Sequence, residues 1–326
     1  MPSVPGYVHT PGNHCGSTAL RNLLAFHGIE LSEEMAFGLG AGASFYYLTL
    51  EDGSPTRWFN GRTARLEETF RDLTGAALEM RTFAPGDDGA WEAARAEVDA
   101  GSPALLLTDI YYLDYYGNSA HFPGHAVVLA GYDDEVAHLS DTSFEQLQQT
   151  RLENLDKARH SDHPAYQLQG HMFTVAAVVD REQLLAAIPG AIEQTAKEMV
   201  EPTFGEFAGL PAVDRLAAEA GSWPEVAEDW QWCARFAYQV IERRGTGGGA
   251  FRLMYSRFLE EAGWEEAPLA AAAAARWTEL AEAFKAASES DKPTATLWGD
   301  VGSSAAAVAR SERRLWESLY EASEED

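Results

Sequence analysis

Cysteine is scarce in this chain: its 326 residues contain two, Cys15 and Cys233. Two cysteines make no disulfide framework, so the sequence reads as a cytoplasmic protein with both thiols reduced. Long apolar runs are missing as well. No run of about 18 apolar residues occurs, and no membrane span is expected. The opening MPSVPGYVHTPGNHC lacks the basic start and apolar core of a signal peptide. Positive charge is the third shortage: 24 Lys and Arg face 51 Asp and Glu, for a net charge of −27. Residues 1–175 hold 10 basic and 24 acidic residues and residues 176–326 hold 14 and 27, so both halves are acidic. That balance argues against a nucleic-acid surface and favours cationic partners. Histidine is absent from the last 155 residues; all nine lie between His9 and His171. Proton transfer near neutral pH that needs an imidazole therefore belongs to the first half.

What is present reads as two textures. Leu20, Leu23 and Leu24 recur at helical spacing from Cys15 to Phe26, with Gly28 as the stop. A second helix is expected from Ser32, an N-cap followed by Glu33 and Glu34, whose charges suit a helix N-terminus. GLGAGASFYYLTL reads as a glycine-rich loop entering a strand, RTARLEETFRDLTG and WEAARAEVDAGSP as helices. ALLLTDIYYL, HAVVLAGY, EVAHLSDTS and Met172 to Val179 read as strands. After about residue 180, four long segments with helical periodicity follow, broken by Pro and Gly, and the acidic tail EASEED is expected to fray. The expected organisation is an α/β region in residues 1–180 and a helical domain in 181–326.

Cys15 stands where a loop becomes a helix. A thiol attacks as the thiolate, which a helix N-terminus and a nearby imidazole both favour. His125 is the candidate imidazole. HAVVLAGYDDEVAHLSDTS reads as a hairpin; with Asp133 at its centre, His125 lies directly opposite Asp141 on one face. A register moved by two keeps the pair on that face as diagonal neighbours, and a shift of one separates it. In the first register Asp141 orients His125 and His125 activates Cys15, the logic of a Cys-His-Asp triad. Cys233, in a helical apolar run, reads as a packing residue, as do His27, His138 and His171 as packing or surface residues. His121 and His125 have a spacing that could hold zinc on a helix, but Pro123 and Gly124 break any helix there, and no metal is expected.

The block HCGSTALRNLLAFHGIELSEEMAFGLGAGASFYYL, with His14, Cys15, Arg21, Asn22 and Gly28 together, resembles the N-terminal domain of the butirosin biosynthesis protein H family. GHAVVLAGYDDEVAHLSDTS is similar to that family's second block, and IERRGTGGGAFRLMYSRFLEEAG resembles the poorly characterised domain often fused behind it. The resemblance implies an α+β, papain-like cysteine-enzyme domain, a helix bearing the cysteine on an antiparallel sheet, followed by a mainly α-helical domain. It carries the roles of nucleophile, base and orienting carboxylate to Cys15, His125 and Asp141. Papain-like enzymes place Gln six residues before the cysteine for the oxyanion hole; here that residue is His9. The hole would use the Cys15 N–H with a side chain among His9, Asn13 and His14.

The resemblance further implies an acyltransferase of natural-product biosynthesis that moves an acyl or aminoacyl group from the phosphopantetheine thioester of an acyl carrier protein to an amine. No permanently bound cofactor is implied. A peptidase or thioesterase would use the same triad with water, and a binding protein with a vestigial triad is the third class. An acidic carrier protein needs a local basic patch on so acidic a chain. Arg244 and Arg252 flank the loop containing Gly247 and Gly248, whose N–H groups could hold a phosphate; the other reading is a tight helix–helix turn.

Overall fold

The computed structural model describes residues 3–75, 78–87, 89–117, 120–164, 166–177 and 180–324. In chain order the first elements are α1 (Cys15–Phe26), α2 (Glu33–Leu39), β1 (Ala43–Thr49), β2 (Arg57–Arg62), α3 (Leu66–Thr74) and β3 (Leu78–Arg81). They are followed by α4 (Gly89–Asp99), β4 (Ala104–Asp109), β5 (Pro123–Tyr132), β6 (Val136–Ser140), β7 (Gln148–Arg151), α5 (Leu152–Arg159), β8 (Met172–Val175) and α6 (Arg181–Leu185). The rest is helical: α7 (Ile188–Val200), α8 (Gly209–Glu219), α9 (Trp223–Val226), α10 (Trp230–Glu242), α11 (Arg252–Glu261), α12 (Ala267–Ser288) and α13 (Ala295–Glu324). The chain forms two compact units, residues 1–36 with 64–186, and residues 37–63 with 187–326. The segment 37–63, contiguous in sequence with the first block, thus has its contacts in the second unit. The strand expected over 172–179 ends at Val175, residues 178 and 179 lying outside the described residues. The tail expected to fray is helical as far as Glu324, and residues 325 and 326 lie outside the described ones.

The first unit has an α+β arrangement: a cysteine-bearing helix packed on an antiparallel sheet. The six strands run in the order β3-β8-β4-β5-β6-β7. All of β4 is buried, and β5 is buried from His125 to Gly131, as a central strand covered on both faces must be. Helix α1 packs against β5 and β4 through an apolar face on which Leu20, Leu23 and Leu24 are fully buried. Val98 of α4, Leu155 of α5, and Leu106, Val127, Leu129, Leu139 and Met172 of the strands form one continuous core cluster. Helix α1 stops where the sequence says it should, at a left-handed Gly28 with φ +83°.

The β5–β6 hairpin does not have the register that a turn centred on Asp133 gives. Its turn spans Asp133 to Val136, closed by Asp133 N–H to Val136 O at 2.9 Å. Near the turn Tyr132 pairs with Ala137 and Gly131 with His138. A bulge at Ala130 then changes the register, and Leu129 pairs with Leu139 and Val128 with Ser140. The longer turn alone is an odd displacement from the expected pairing, which would put His125 and Asp141 on opposite faces. The extra residue of the bulge makes the net displacement two, and the pair becomes diagonal on one face.

In the second unit β1 and β2 form an antiparallel hairpin. Its centre of cohesion is Arg252, wholly buried at the start of α11 and ion-paired with the wholly buried Glu312 of α13 at 2.8 Å. Nη1 of Arg252 donates to the carbonyls of Ser44, Gly61 and Ala250, and Glu312 also accepts from the indole N–H groups of Trp277 and Trp316. Gly61 is required here, because a Cβ would lie 2.6 Å from the carbonyl oxygen of Ala250. Among the described residues no helix is long and apolar enough to cross a membrane.

Candidate active site

Cys15 is the first residue of α1, partly exposed, with His14 as N-cap. The loop before it is fastened by one carboxylate. Glu33 of α2 accepts the backbone N–H groups of Asn13 at 2.8 Å and His14 at 2.7 Å, and the Thr18 hydroxyl at 3.1 Å. Ser32 caps α2 as expected, its Oγ accepting the Met35 N–H at 2.9 Å. The sequence reading gave Glu33 a merely electrostatic role in that helix; its side chain instead reaches back to α1. Gly12 leaves room for it, since a Cβ there would come within 2.7 Å of Glu33 Oε2 and 2.2 Å of Thr18 Oγ1. The Gly12 N–H also donates to Thr142 O at 3.1 Å, tying the cysteine loop to the residue after Asp141.

His125 enters from the start of β5, its carbonyl fixed by the Thr108 hydroxyl at 2.9 Å. Its ring hydrogen-bonds Cys15, and Nε2 meets Asp141 Oδ2 at 2.8 Å, leaving Nδ1 as the nitrogen for the thiol. Asp141 is wholly buried. Burial is the largest influence on His125 and lowers its pKa; the charge and hydrogen bond of Asp141, with help from Cys15, outweigh it and raise the imidazole to about 10. Burial likewise works against the Asp141 anion, but His125, Tyr115 and the Ser143 N–H hold it below the ordinary carboxylate value. At neutral pH His125 is therefore an imidazolium beside the Cys15 thiol, and a neighbouring positive charge is what favours a thiolate.

Two tyrosines complete the carboxylate's shell. Tyr115 donates to Asp141 Oδ2 at 2.8 Å and Tyr116 to Oδ1 at 3.2 Å. Tyr116 also sets its ring edge-on to His125, with centroids 5.7 Å apart. Burial, followed by the Asp141 charge, pushes both phenols far above their ordinary range, so they act as donors throughout the physiological range. The Asp114 carboxylate holds this turn in place, accepting from the Arg151 N–H at 2.8 Å and from Thr150 and Asn154. Sequence reading missed this role for the tyrosines. The strand expected over ALLLTDIYYL ends at Asp109, and the signal for the turn beyond it was Asp114, a residue type that favours turns over strands.

The oxyanion-hole expectations divide. Both ring nitrogens of His9 are engaged, Nδ1 with Ser140 Oγ at 2.7 Å and Nε2 with Phe144 O at 2.8 Å, so His9 fastens the turn after Asp141 and is not a hole donor. His14 is buried, and its Nδ1 accepts the Ser17 N–H as a helix cap. Asn13, two residues before Cys15, is exposed and commits one amide N–H to Glu33, at 3.2 Å. A primary amide has two N–H bonds, so Asn13 has a second one to donate.

The proposed phosphate loop does not fit an anion. Arg252 is sealed in the ion pair described above. Arg244 binds Gln239 Oε1 at 2.8 Å and lies over the Phe236 ring. The Gly248 N–H donates to Thr246 Oγ1 and the Gly249 N–H to the carboxylate of Glu242. Gly247 and Gly248 have φ of +64° and +100°, and a Cβ on Gly247 would sit 2.4 Å from Met254 Cγ. The segment is a tight turn between α10 and α11, and its glycines meet backbone demands. Among the described residues no group of three or more His, Cys, Asp or Glu could hold a metal ion.

The family described as butirosin biosynthesis protein H, N-terminal, matches residues 14–142. The family described as a domain of unknown function (DUF4872) matches residues 153–319, just over half of the chain. Among curated proteins none matches significantly. A crystal structure described as a C39-like peptidase from Bacillus anthracis is similar over 54% of this chain and 98% of its own, with 17% identity and a TM-score of 0.38. The chain belongs to the DUF4872 family, and residues 14–142, ahead of that domain, are similar to the family described as butirosin biosynthesis protein H, N-terminal.

Proposed function

We propose that the protein is a cysteine-dependent, amide-forming acyltransferase of natural-product biosynthesis. The observation that carries the proposal is the line from Cys15 at a helix N-terminus, through its hydrogen bond to His125, to the wholly buried Asp141. In this reading the Cys15 thiolate attacks the thioester carbonyl of an acyl or aminoacyl group on the phosphopantetheine of a carrier protein. The C–S bond to phosphopantetheine breaks, its sulfur takes the His125 proton, and an acyl-enzyme remains. An amine then captures the acyl group. The Cys15 N–H and Asn13 are the groups suited to the oxyanion. The family description, naming a biosynthetic protein, supports transfer over hydrolysis. The net charge of −27 favours a cationic acceptor.

The test is intact-protein mass after incubation with a panel of acyl thioesters, carrier-bound donors included, on wild type and Cys15→Ala. A thioester-labile adduct in wild type, lost in the variant, is the expected result. Rapid turnover to free acid with no amine product would make the protein a hydrolase. No adduct and no turnover would favour the binding-protein reading.

A further inference from the structure

An acceptor amine arrives as an ammonium ion and must lose two protons to become an amide, whereas the triad has one base. We propose that Asp109 and His121 form a second carboxylate–imidazole pair that receives the first of these protons from the acceptor at Nε2 of His121. The inference rests on the acyl-transfer reading above.

Asp109 ends β4, wholly buried, and its carboxylate accepts four hydrogen bonds: the backbone N–H of Tyr111 at 3.2 Å, that of Phe122 at 2.9 Å, the Ser161 hydroxyl at 2.7 Å and His121 Nδ1 at 2.7 Å. Because a carboxylate only accepts, Nδ1 carries the proton, and the lone pair of the neutral ring is on Nε2. Nε2 has no hydrogen-bond partner among the described residues, and the side chain is 34% exposed. The ring stacks on Tyr111, with centroids 4.0 Å apart and planes nearly parallel, and on His163, 4.9 Å away. A half-exposed imidazole is thus fixed in tautomer by a buried carboxylate and in plane by two stacked rings. The backbone N–H groups of Tyr111 and Phe122 already hold Asp109, so its fixing does not require the histidine.

Position links this pair to the triad. Thr108 pairs with His125 and Asp109 with Pro123, so both Asp-His pairs stand at the same end of the β4–β5 ladder. The Phe122 ring, between the two histidines in sequence, is 6.3 Å from that of His125. In the acyl-enzyme His125 is neutral. The ammonium gives one proton to His121 Nε2, and the freed amine attacks the acyl carbon. The C–N bond forms, the C–S bond to Cys15 breaks, and the second nitrogen proton passes to His125. That step restores the thiolate–imidazolium pair, and His121 returns its proton to water.

The test uses the full chain, the acetyl thioester of N-acetylcysteamine as donor and 1,3-diaminopropane as acceptor. Wild type and His121→Gln are compared for acyl-enzyme formation, amine capture and hydrolysis; Gln keeps an N–H for Asp109. The expected result is at least a tenfold fall in the ratio of amine capture to acylation. In parallel, calorimetry compares 1,3-diaminopropane binding to Cys15→Ala with and without His121→Gln, and the second substitution should weaken it at least threefold. An unchanged ratio, equal losses in acylation and capture, or equal amine binding each overturn the proposal while leaving the triad intact. Wild type that forms no acyl-enzyme overturns the acyl-transfer reading, and this pair's role falls with it.

Discussion

Each unit of the chain contains a buried ion pair at 2.8 Å, and the two pairs do opposite things. Arg252 and Glu312 are both wholly inaccessible, and their partners are carbonyls and indoles that cannot take up a proton. Guanidinium stays charged at any ordinary pH, so nothing in this pair can move. His125 and Asp141 are nearly as buried, but their third member is a partly exposed thiol, and imidazole exchanges protons in the physiological range. Burial and short distance alone therefore do not mark a functional charge pair. A labile proton with one accessible end does.

The largest effects should separate the pairs completely. Asp141→Asn is expected to lower acyl-enzyme formation on the order of 10⁴-fold, as loss of the orienting carboxylate does in triad enzymes, with little change in melting temperature. Arg252→Ala should do the reverse, costing about 3–5 kcal/mol by leaving Glu312 buried and uncompensated. Differential scanning calorimetry beside a thioester assay checks both. Replacing both members, Arg252→Met with Glu312→Leu, should recover most of the lost stability, since buried pairs often exchange for apolar residues at little net cost. No double replacement of His125 and Asp141 should recover rate. Recovery there would end the distinction.

The pH dependence is next in size. The folded His125 pKa, about 10, exceeds the ordinary 6.5, so its contribution to stability is complete below pH 6.5 and lost as pH rises towards 10. Asp141, held below its ordinary 3.8, contributes above that value and loses its contribution as pH falls through the lowered one. Urea titrations from pH 6 to 10 should accordingly show a steeper loss for wild type than for His125→Asn. Smaller still, Tyr115→Phe removes one hydrogen bond to a charged carboxylate, worth about 1.5–3 kcal/mol. It should slow iodoacetamide alkylation of Cys15 about tenfold or less. Arg244→Ala should be smallest, leaving the KM for a carrier-bound thioester within about twofold, because its guanidinium is already bound to Gln239.

Much of the active-site unit was legible because its signals are local. The apolar spacing of Leu20, Leu23 and Leu24 and the stop at Gly28 define α1, and the place of Cys15 at its start was readable with them. The shared face of His125 and Asp141 was legible only as a condition, since it depended on a turn and a bulge that no local pattern announced. Glu33 was misread because its target lies on another helix. The glycine loop stayed open between an anion site and a tight turn because arginines stand beside it, and the partner that decides the matter for Arg252 is Glu312, sixty positions away in sequence. Long-range partners of charged residues do not appear in periodicity.

The bulge at Ala130 constrains how this chain can change length. A one-residue insertion in the Asp133–Val136 turn would make the hairpin's total offset odd and turn Asp141 away from His125, unless a second one-residue change at the bulge cancelled it. Length changes in this hairpin should therefore come in compensated pairs, and a single deletion at Ala130 should silence the site while leaving a sheet. The first residues of the chain take part in the same accounting. The Val4 N–H donates to Ala130 O at 2.9 Å, and Ser3 bridges Gly131, so the N-terminal segment grips the one place where the count is corrected. Trimming it should loosen the register that sets His125 beside Asp141, from residues far from both in sequence.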